Sequence, residues 1–261
     1  MEEKVFIENS RGLNLAGILE KPDDEGIFPA VILLHGITGY KEKQHIVALS
    51  HDLAREGIAS IRFDASGIGE SQGSVEEDYR ISHYLKDIED VFKYLRGLPF
   101  IDASHIGIWG HSLGGMLAVI YSAHKHEVKA VCAISTPTKI EKITAIKDEL
   151  NNWKETGWFD KWKFNNRPTR IPLVFMEDAS NFDVESEVKK ISAPKLIIIG
   201  KIDGAVLPED TMKIYHAAKE PKELVEIENM GHDYRDFPDQ IKEVNTKVVN
   251  FFTPILLGRS S

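Results

Sequence analysis

The chain of 261 residues is 42% hydrophobic and 28% charged, a balance that suits one large folded core and excludes a disordered polypeptide. Asp and Glu number 41 against 32 Lys and Arg, for a net charge of -9. Such a surface repels phosphate backbones and anionic headgroups, so nucleic acid and membranes are not expected partners.

Taken in order, Lys4–Asn9 and Leu13–Glu20 flank Ser10-Arg11-Gly12 and predict a hairpin at a sheet edge. Val31–Leu34, Ala59–Phe63, His105–Trp109, Ala130–Ile134 and Leu196–Ile199 predict strands. Their near-continuous apolar character suits a parallel sheet covered on both faces. Between them, Gln44–Arg55, Ser82–Leu98 and Leu113–His124 predict helices. In the second of these, Tyr84, Ile88, Val91, Phe92 and Leu95 form one apolar stripe. The alternation predicts βαβ units with right-handed crossovers. It stops between Thr136 and Ser192, a stretch holding Trp153, Trp158, Trp162, Phe159, Phe164, Phe175 and Phe182. Residues 136–192 therefore read as an insertion, with 1–135 and 193–261 forming the core around it.

Apolar runs are too short to cross a bilayer, and the opening Met-Glu-Glu-Lys-Val lacks a basic segment followed by an apolar one. A cytoplasmic location is the expectation. The single cysteine, Cys132, lies inside an apolar strand and reads as a small hydrophobe.

Two stretches fit Gly-x-Ser-x-Gly: Gly69–Gly73 around Ser71, and Gly110–Gly114 around Ser112. Context separates them. A serine nucleophile needs a sharp turn between a buried strand and a helix, with small neighbours two positions away. Ser112 follows the strand ending at Trp109 and precedes the apolar helix from Leu113, whose N-terminus favours developing negative charge. Ser71 sits in a polar loop that runs into Glu76-Glu77-Asp78, so Asp64–Ser71 reads as a structural turn.

A serine hydroxyl needs an imidazole base steadied by a carboxylate. Asp203 comes just beyond the strand Leu196–Ile199, at the edge where α/β sheets place their ligands. Glu209 and Asp210 follow Pro208 in a helix's first turn and read as compensating its dipole. His232, in Asn229-Met230-Gly231-His232-Asp233, follows the strand-like Glu223–Ile227 and is the expected base; His216 falls within a helix. The backbone N–H groups of Leu113 and Ile37, the latter in His35-Gly36-Ile37-Thr38-Gly39, are the expected oxyanion donors. His35 reads as a buttress of that loop. His124-Lys125-His126 reads as a solvated helix end, not a metal site.

Together, His35–Gly39, Asp64–Ser71, Gly110–Gly115, Asp203 and Gly231-His232 resemble the α/β-hydrolase superfamily over essentially the whole chain. Within it, His35–Glu42 with His45, then Arg62-Phe63-Asp64 and Gly67–Ser71, look like bacterial cinnamoyl and feruloyl esterases. Those enzymes often carry Gln after the nucleophile, where this chain has Leu113. The resemblance implies an α/β-hydrolase fold, mostly parallel with flanking helices, and a short insertion covering the site, for which 136–192 is the matching segment. It also implies a serine esterase working through an acyl-enzyme on a small-molecule ester, of small to medium acyl or hydroxycinnamoyl type. Trp158 and Trp162 would contact substrate; alternatively Trp153, Trp158 and Trp162 form the insertion's own core. No metal or organic cofactor is required, and a homodimer stays open. Rival readings are a monoacylglycerol lipase-like or aminopeptidase-like serine hydrolase with the same triad, and a non-catalytic ligand-binding relative.

Overall fold

The computed structural model describes residues 1–164 and 167–258. The Phe164 side chain and the last three residues of the range 193–261 lie outside that description.

An eight-stranded sheet runs through the molecule in the order β1-β2-β4-β3-β5-β6-β11-β12. Its strands are β1 (Glu2–Glu8), β2 (Asn14–Glu20), β3 (Phe28–Leu34), β4 (Ala59–Phe63), β5 (Ile101–His111), β6 (Val128–Ile134), β11 (Lys195–Gly200) and β12 (Lys222–Ile227). The β1–β2 hairpin forms one edge, and β2 is antiparallel to both of its neighbours. From β4 to β12 every pairing is parallel. β5 begins earlier than the apolar run suggests, because Ile101 pairs with Phe28 ahead of a register shift.

Alternate side chains of the buried strands feed two cores. Val31 and Leu33 of β3, with Leu196 and Ile198 of β11, face one side. There they meet Ile46, Leu49 and Leu53 of helix α1 (Gln44–Arg55) and Val244, Val248 and Phe252 of helix α8 (Pro238–Leu257). The three α1 residues recur at helical spacing, so one stripe of the helix is buried. Ala30, Ile32, Ile197 and Ile199 face the other side. That layer is covered by α2 (Ile81–Arg96), α3 (Leu113–Ala123) and α7 (Pro208–Ala217).

Residues 136–192 lie between β6 and β11, which are neighbours in the sheet through Val131↔Lys195. The segment is more regular than the sequence suggests. It holds helices α4 (Thr144–Thr156), α5 (Leu173–Ala179) and α6 (Val184–Val188). Two-residue strands β7 (Trp158–Phe159) and β10 (Ile171–Pro172) pair with each other, as do β8 (Lys163–Phe164) and β9 (Arg167–Pro168). Its periodicity is obscure because each piece is too short to repeat an apolar pattern. Trp153 is fully buried at 0% exposure. Its ring lies 5.0 Å from Phe159 and stacks 6.3 Å from Phe175, which stacks in turn on Tyr79 at 5.2 Å. Hydrogen bonds anchor the segment: Thr144 donates to the carbonyls of Ala205 and Gly204, and Ser82 N–H donates to Asp178. No helix among the described residues is long and apolar enough to cross a membrane.

Candidate active site

β5 delivers its chain into a turn so tight that side chains are excluded on both flanks. Ser112 has φ 57° and ψ -121°, a left-handed conformation that is uncommon and strained for a residue with a Cβ. A Cβ on Gly110 would lie 2.1 Å from the Gly114 carbonyl carbon, and one on Gly115 would lie 2.0 Å from Thr136 Oγ1. The turn is fixed from behind by Ser112 N–H donating to the Ile134 carbonyl at 2.9 Å. Ser112 Oγ consequently stands at the start of α3, beyond the carboxyl end of β5.

Two further loops at that edge complete the arrangement. Asp203, just past β11, is buried; its Oδ1 accepts from the N–H groups of Ala205 and Val206, each at 2.9 Å. Its Oδ2 lies 2.9 Å from His232 Nδ1. His232, past β12, places Nε2 3.1 Å from Ser112 Oγ. The backbone donors thus orient the carboxylate, the carboxylate fixes the ring, and the other ring nitrogen meets the hydroxyl. The imidazole is 15% exposed, enough for a reacting group to reach it.

The His35–Gly39 loop packs onto the same turn. A Cβ on Gly36 would stand 3.1 Å from the His111 carbonyl and 3.9 Å from Leu113 N, so no larger residue fits comfortably there. The loop doubles back through Gly39 N–H donating to the Gly36 carbonyl, with Thr38 at φ 63°. The N–H groups of Ile37 and Leu113 donate to no acceptor among the described hydrogen bonds. His35 is buried; its Nδ1 donates to the Gly36 carbonyl and its Nε2 accepts from Ala65 N–H at 3.1 Å. Burial pushes its pKa down, so it is a neutral strut in one tautomer.

Other residues the sequence singles out lie elsewhere. Ser71 Oγ donates to the Asp64 carbonyl at 2.6 Å and accepts from Ala16 N–H, so its hydroxyl is consumed by the turn. His216 is exposed on α7. His124 Nε2 lies 2.8 Å from Glu187, a distant carboxylate that the sequence does not reveal. Asp210 does more than balance a dipole: it is buried and accepts from both the N–H and the hydroxyl of Thr138. Trp162 packs on Phe159 at 4.3 Å, and the Arg170 guanidinium lies over the Trp158 ring at 4.5 Å. Glu2, Glu20 and His51 bring three ligand atoms within 4.8 Å of one another at the sheet edge. Arg62 already supplies a cation there, bonded to Glu2 and 3.4 Å from Glu20.

Sequence reasoning passes over two buried groups. Lys41, 2% exposed, donates through Nζ to Asp64 and Glu70, while its N–H donates to the other Asp64 oxygen at 2.7 Å. Burial works against this ammonium, but the hydrogen bonds to Glu70 and Asp64 outweigh it and raise its pKa. Hydrogen bonds from Lys4 and Lys41 hold Glu70 at about 2. His111, the free position of the Gly-x-Ser-x-Gly pattern, is 1% exposed, and its ring lies 4.7 Å from that of His232.

A family model of the α/β hydrolase fold matches residues 29–147. Est1E of Butyrivibrio proteoclasticus, solved with ferulic acid bound, superposes with a TM-score of 0.79 over 98% of this chain and 100% of its own, at 25% identity. The chain has the α/β-hydrolase fold. Quorum-quenching protein AidA of Acinetobacter baumannii is 28% identical over 170 residues, 64% of this chain and 56% of that one. Thiohydrolase apmlB of Arthrinium phaeospermum is 29% identical over 145 residues, 54% of this chain and 46% of that one. The family model and these neighbours support membership of the α/β-hydrolase superfamily, and their esterase and thiohydrolase names support a hydrolase.

Proposed function

We propose that this protein is a serine carboxylic-ester hydrolase working through an acyl-enzyme on Ser112. One observation carries the reading: a hydroxyl on a strained turn, an imidazole and a buried carboxylate follow one another at 3.1 and 2.9 Å. Ser112 Oγ attacks the ester carbonyl carbon as its proton passes to His232 Nε2. Asp203 holds the ring through Nδ1 and stabilises the imidazolium. The N–H groups of Ile37 and Leu113 take up the charge on the carbonyl oxygen, each donor being worth roughly 3–4 kcal/mol in such sites. The C–O bond then breaks, and the departing alkoxide takes the proton from His232. Water repeats the sequence on the acyl-enzyme, releasing the acid and restoring Ser112.

For the acyl group we propose a hydroxycinnamoyl or similarly flat moiety, with residues 136–192 as a cap over the site. The ferulic acid bound to Est1E supports this, as does the concentration of aromatic residues in the segment. A second reading, thioester hydrolysis by the same groups, is favoured by the likeness to a thiohydrolase.

The test is a turnover panel of methyl hydroxycinnamates, nitrophenyl esters of rising chain length and an aryl thioester. Fluorophosphonate labelling of wild type and Ser112→Ala runs beside it. Labelling confined to the wild type, with hydroxycinnamates turned over fastest, is the expected result. An unlabelled wild type without turnover would favour a ligand-binding relative and sink the hydrolase. Preference for the thioester or for long acyl chains would move the substrate class alone. Substituting Trp153 and Trp162 separately then divides core from cap: Trp153→Phe should lower stability, and Trp162→Ala should shift acyl preference.

A further inference from the structure

The His232 loop is loosely held by its own backbone. Tyr234 N–H donates to the Gly231 carbonyl at 3.3 Å, Met230 N–H to the Ile227 carbonyl at 3.3 Å, and Ile202 N–H to the Met230 carbonyl at 3.2 Å. These long bonds flank residue 232 without touching it. The His232 carbonyl instead accepts a hydrogen bond from the ring of His111. The nitrogen that donates is Nδ1, since Nε2 of that ring is buried without a partner.

His111 is well placed to act as a post. It ends β5, in register with Ile134 of β6, one residue before the nucleophile. Its ring is boxed between His45 at 5.7 Å and Tyr234 at 5.2 Å, both nearly edge-on. All three side chains are buried. Burial first, and then the nearby His232, His45 and Arg235, push the pKa of His111 down. The ring is therefore neutral, with a single N–H to give.

We propose that His111 is a positioning residue for the acyl-transfer step: through Nδ1–H to the His232 carbonyl, it ties the loop carrying the base to the strand carrying the nucleophile. The proposal rests on the triad reading above. It adds a restraint on the main chain of His232 to the one that Asp203 places on its ring. The same chain segment thereby fixes both partners of the proton transfer. A misplacement of about 1 Å in such a pair costs on the order of 100-fold in rate.

The experiment compares His111→Leu, which removes the donor, with His111→Asn, whose amide N–H can occupy the place of Nδ1–H. Steady-state kinetics on the best ester is paired with thermal melting. Expected are a fall in kcat of roughly 10- to 100-fold for H111L with KM little changed, and recovery of most of that loss in H111N. Unaltered kcat in folded H111L, a loss lying wholly in KM, or folded H111N as slow as H111L would overturn it. Nitrogen-15 spectra of the wild type keep the idea exposed should H111L not fold. The Nδ1–H tautomer is expected at His111, and the Nε2–H tautomer refutes it. Inactive, unlabelled wild type would instead fail the hydrolase reading, a result distinct from any of these.

Discussion

Gly110 and Gly114, the two ends of the Ser112 turn, touch: a Cβ on Gly110 would meet the Gly114 carbonyl carbon and oxygen at 2.1 Å. The obstacle is backbone at the start of α3, which cannot swing aside as a side chain would. Gly110→Ala should therefore displace the turn that presents Ser112. Overpacking costs about 1–3 kcal/mol, and the rigid neighbour puts this case at the upper end. Denaturant titration should show a lowered midpoint, and fluorophosphonate labelling should slow sharply. A variant with wild-type stability and labelling would show that the turn is more pliant than its contacts imply.

Asp203 does two jobs with two oxygens, and two substitutions separate them. In Asp203→Asn the amide oxygen can still accept from Ala205 and Val206, but the His232 ring loses the carboxylate that sets its tautomer. Turnover should drop by about 10^4-fold with melting nearly unchanged. Asp203→Ala abandons the two N–H groups as well, each unsatisfied donor costing roughly 1–3 kcal/mol. It should be both inactive and visibly less stable. Equal stability of the two variants would mean that water replaces the lost acceptor.

How far the sequence speaks for itself depends on whether a residue's environment is local. The strands β3, β5, β6 and β11 are readable because burial on both faces leaves a run of apolar letters, and Ser112, Asp203 and His232 are readable because each follows such a run. Helix α8 is harder to see. Its buried Ile241, Val244 and Val248 are diluted by Asp239, Lys242, Glu243 and Lys247, and Pro254 lies inside it. Asp210, Lys41 and His111 are opaque for another reason. A polar letter does not disclose that its partner, Thr138, Asp64 or the His232 carbonyl, arrives from a distant loop.

Three buried histidines tie stability to pH. Burial holds the pKa of His45 down at about 3 and lowers those of His35 and His111. An unfolded chain takes up protons at these positions near the ordinary value of 6.5, whereas the folded chain does not. The sign follows: stability is fully present above 6.5 and is lost as pH falls through the interval toward the depressed folded values. Each such group contributes a slope of about 1.4 kcal/mol per pH unit well below 6.5. Urea midpoints at pH 7.5, 6 and 5 should fall progressively, and His45→Phe should flatten the decline. Parallel curves for wild type and H45F would mean that His45 is protonated in the folded state.

Lys41 supplies the last test, because its ion pair lies beneath the loop that carries Ile37. Both Lys41 and Asp64 are almost wholly removed from solvent, and Asp64 also accepts from the N–H groups of Lys41 and Glu70. Lys41→Met would leave a carboxylate buried with two neutral donors in place of an ammonium. Stripping one partner from a buried pair costs about 3–5 kcal/mol, whereas an exposed pair such as Lys201–Glu228 is worth about 1 kcal/mol or less. K41M should accordingly unfold at much lower denaturant, and Lys201→Met should scarcely differ from wild type. Salt adds a second discriminator. Raising ionic strength to about 1 M screens surface charges but reaches a buried pair poorly, so the gap between K41M and wild type should persist. Where the variant folds, labelling of Ser112 should slow, since the His35–Gly39 loop loses its footing on Asp64. A gap that closes in high salt would place the ammonium in contact with water and remove the reason for assigning it this weight.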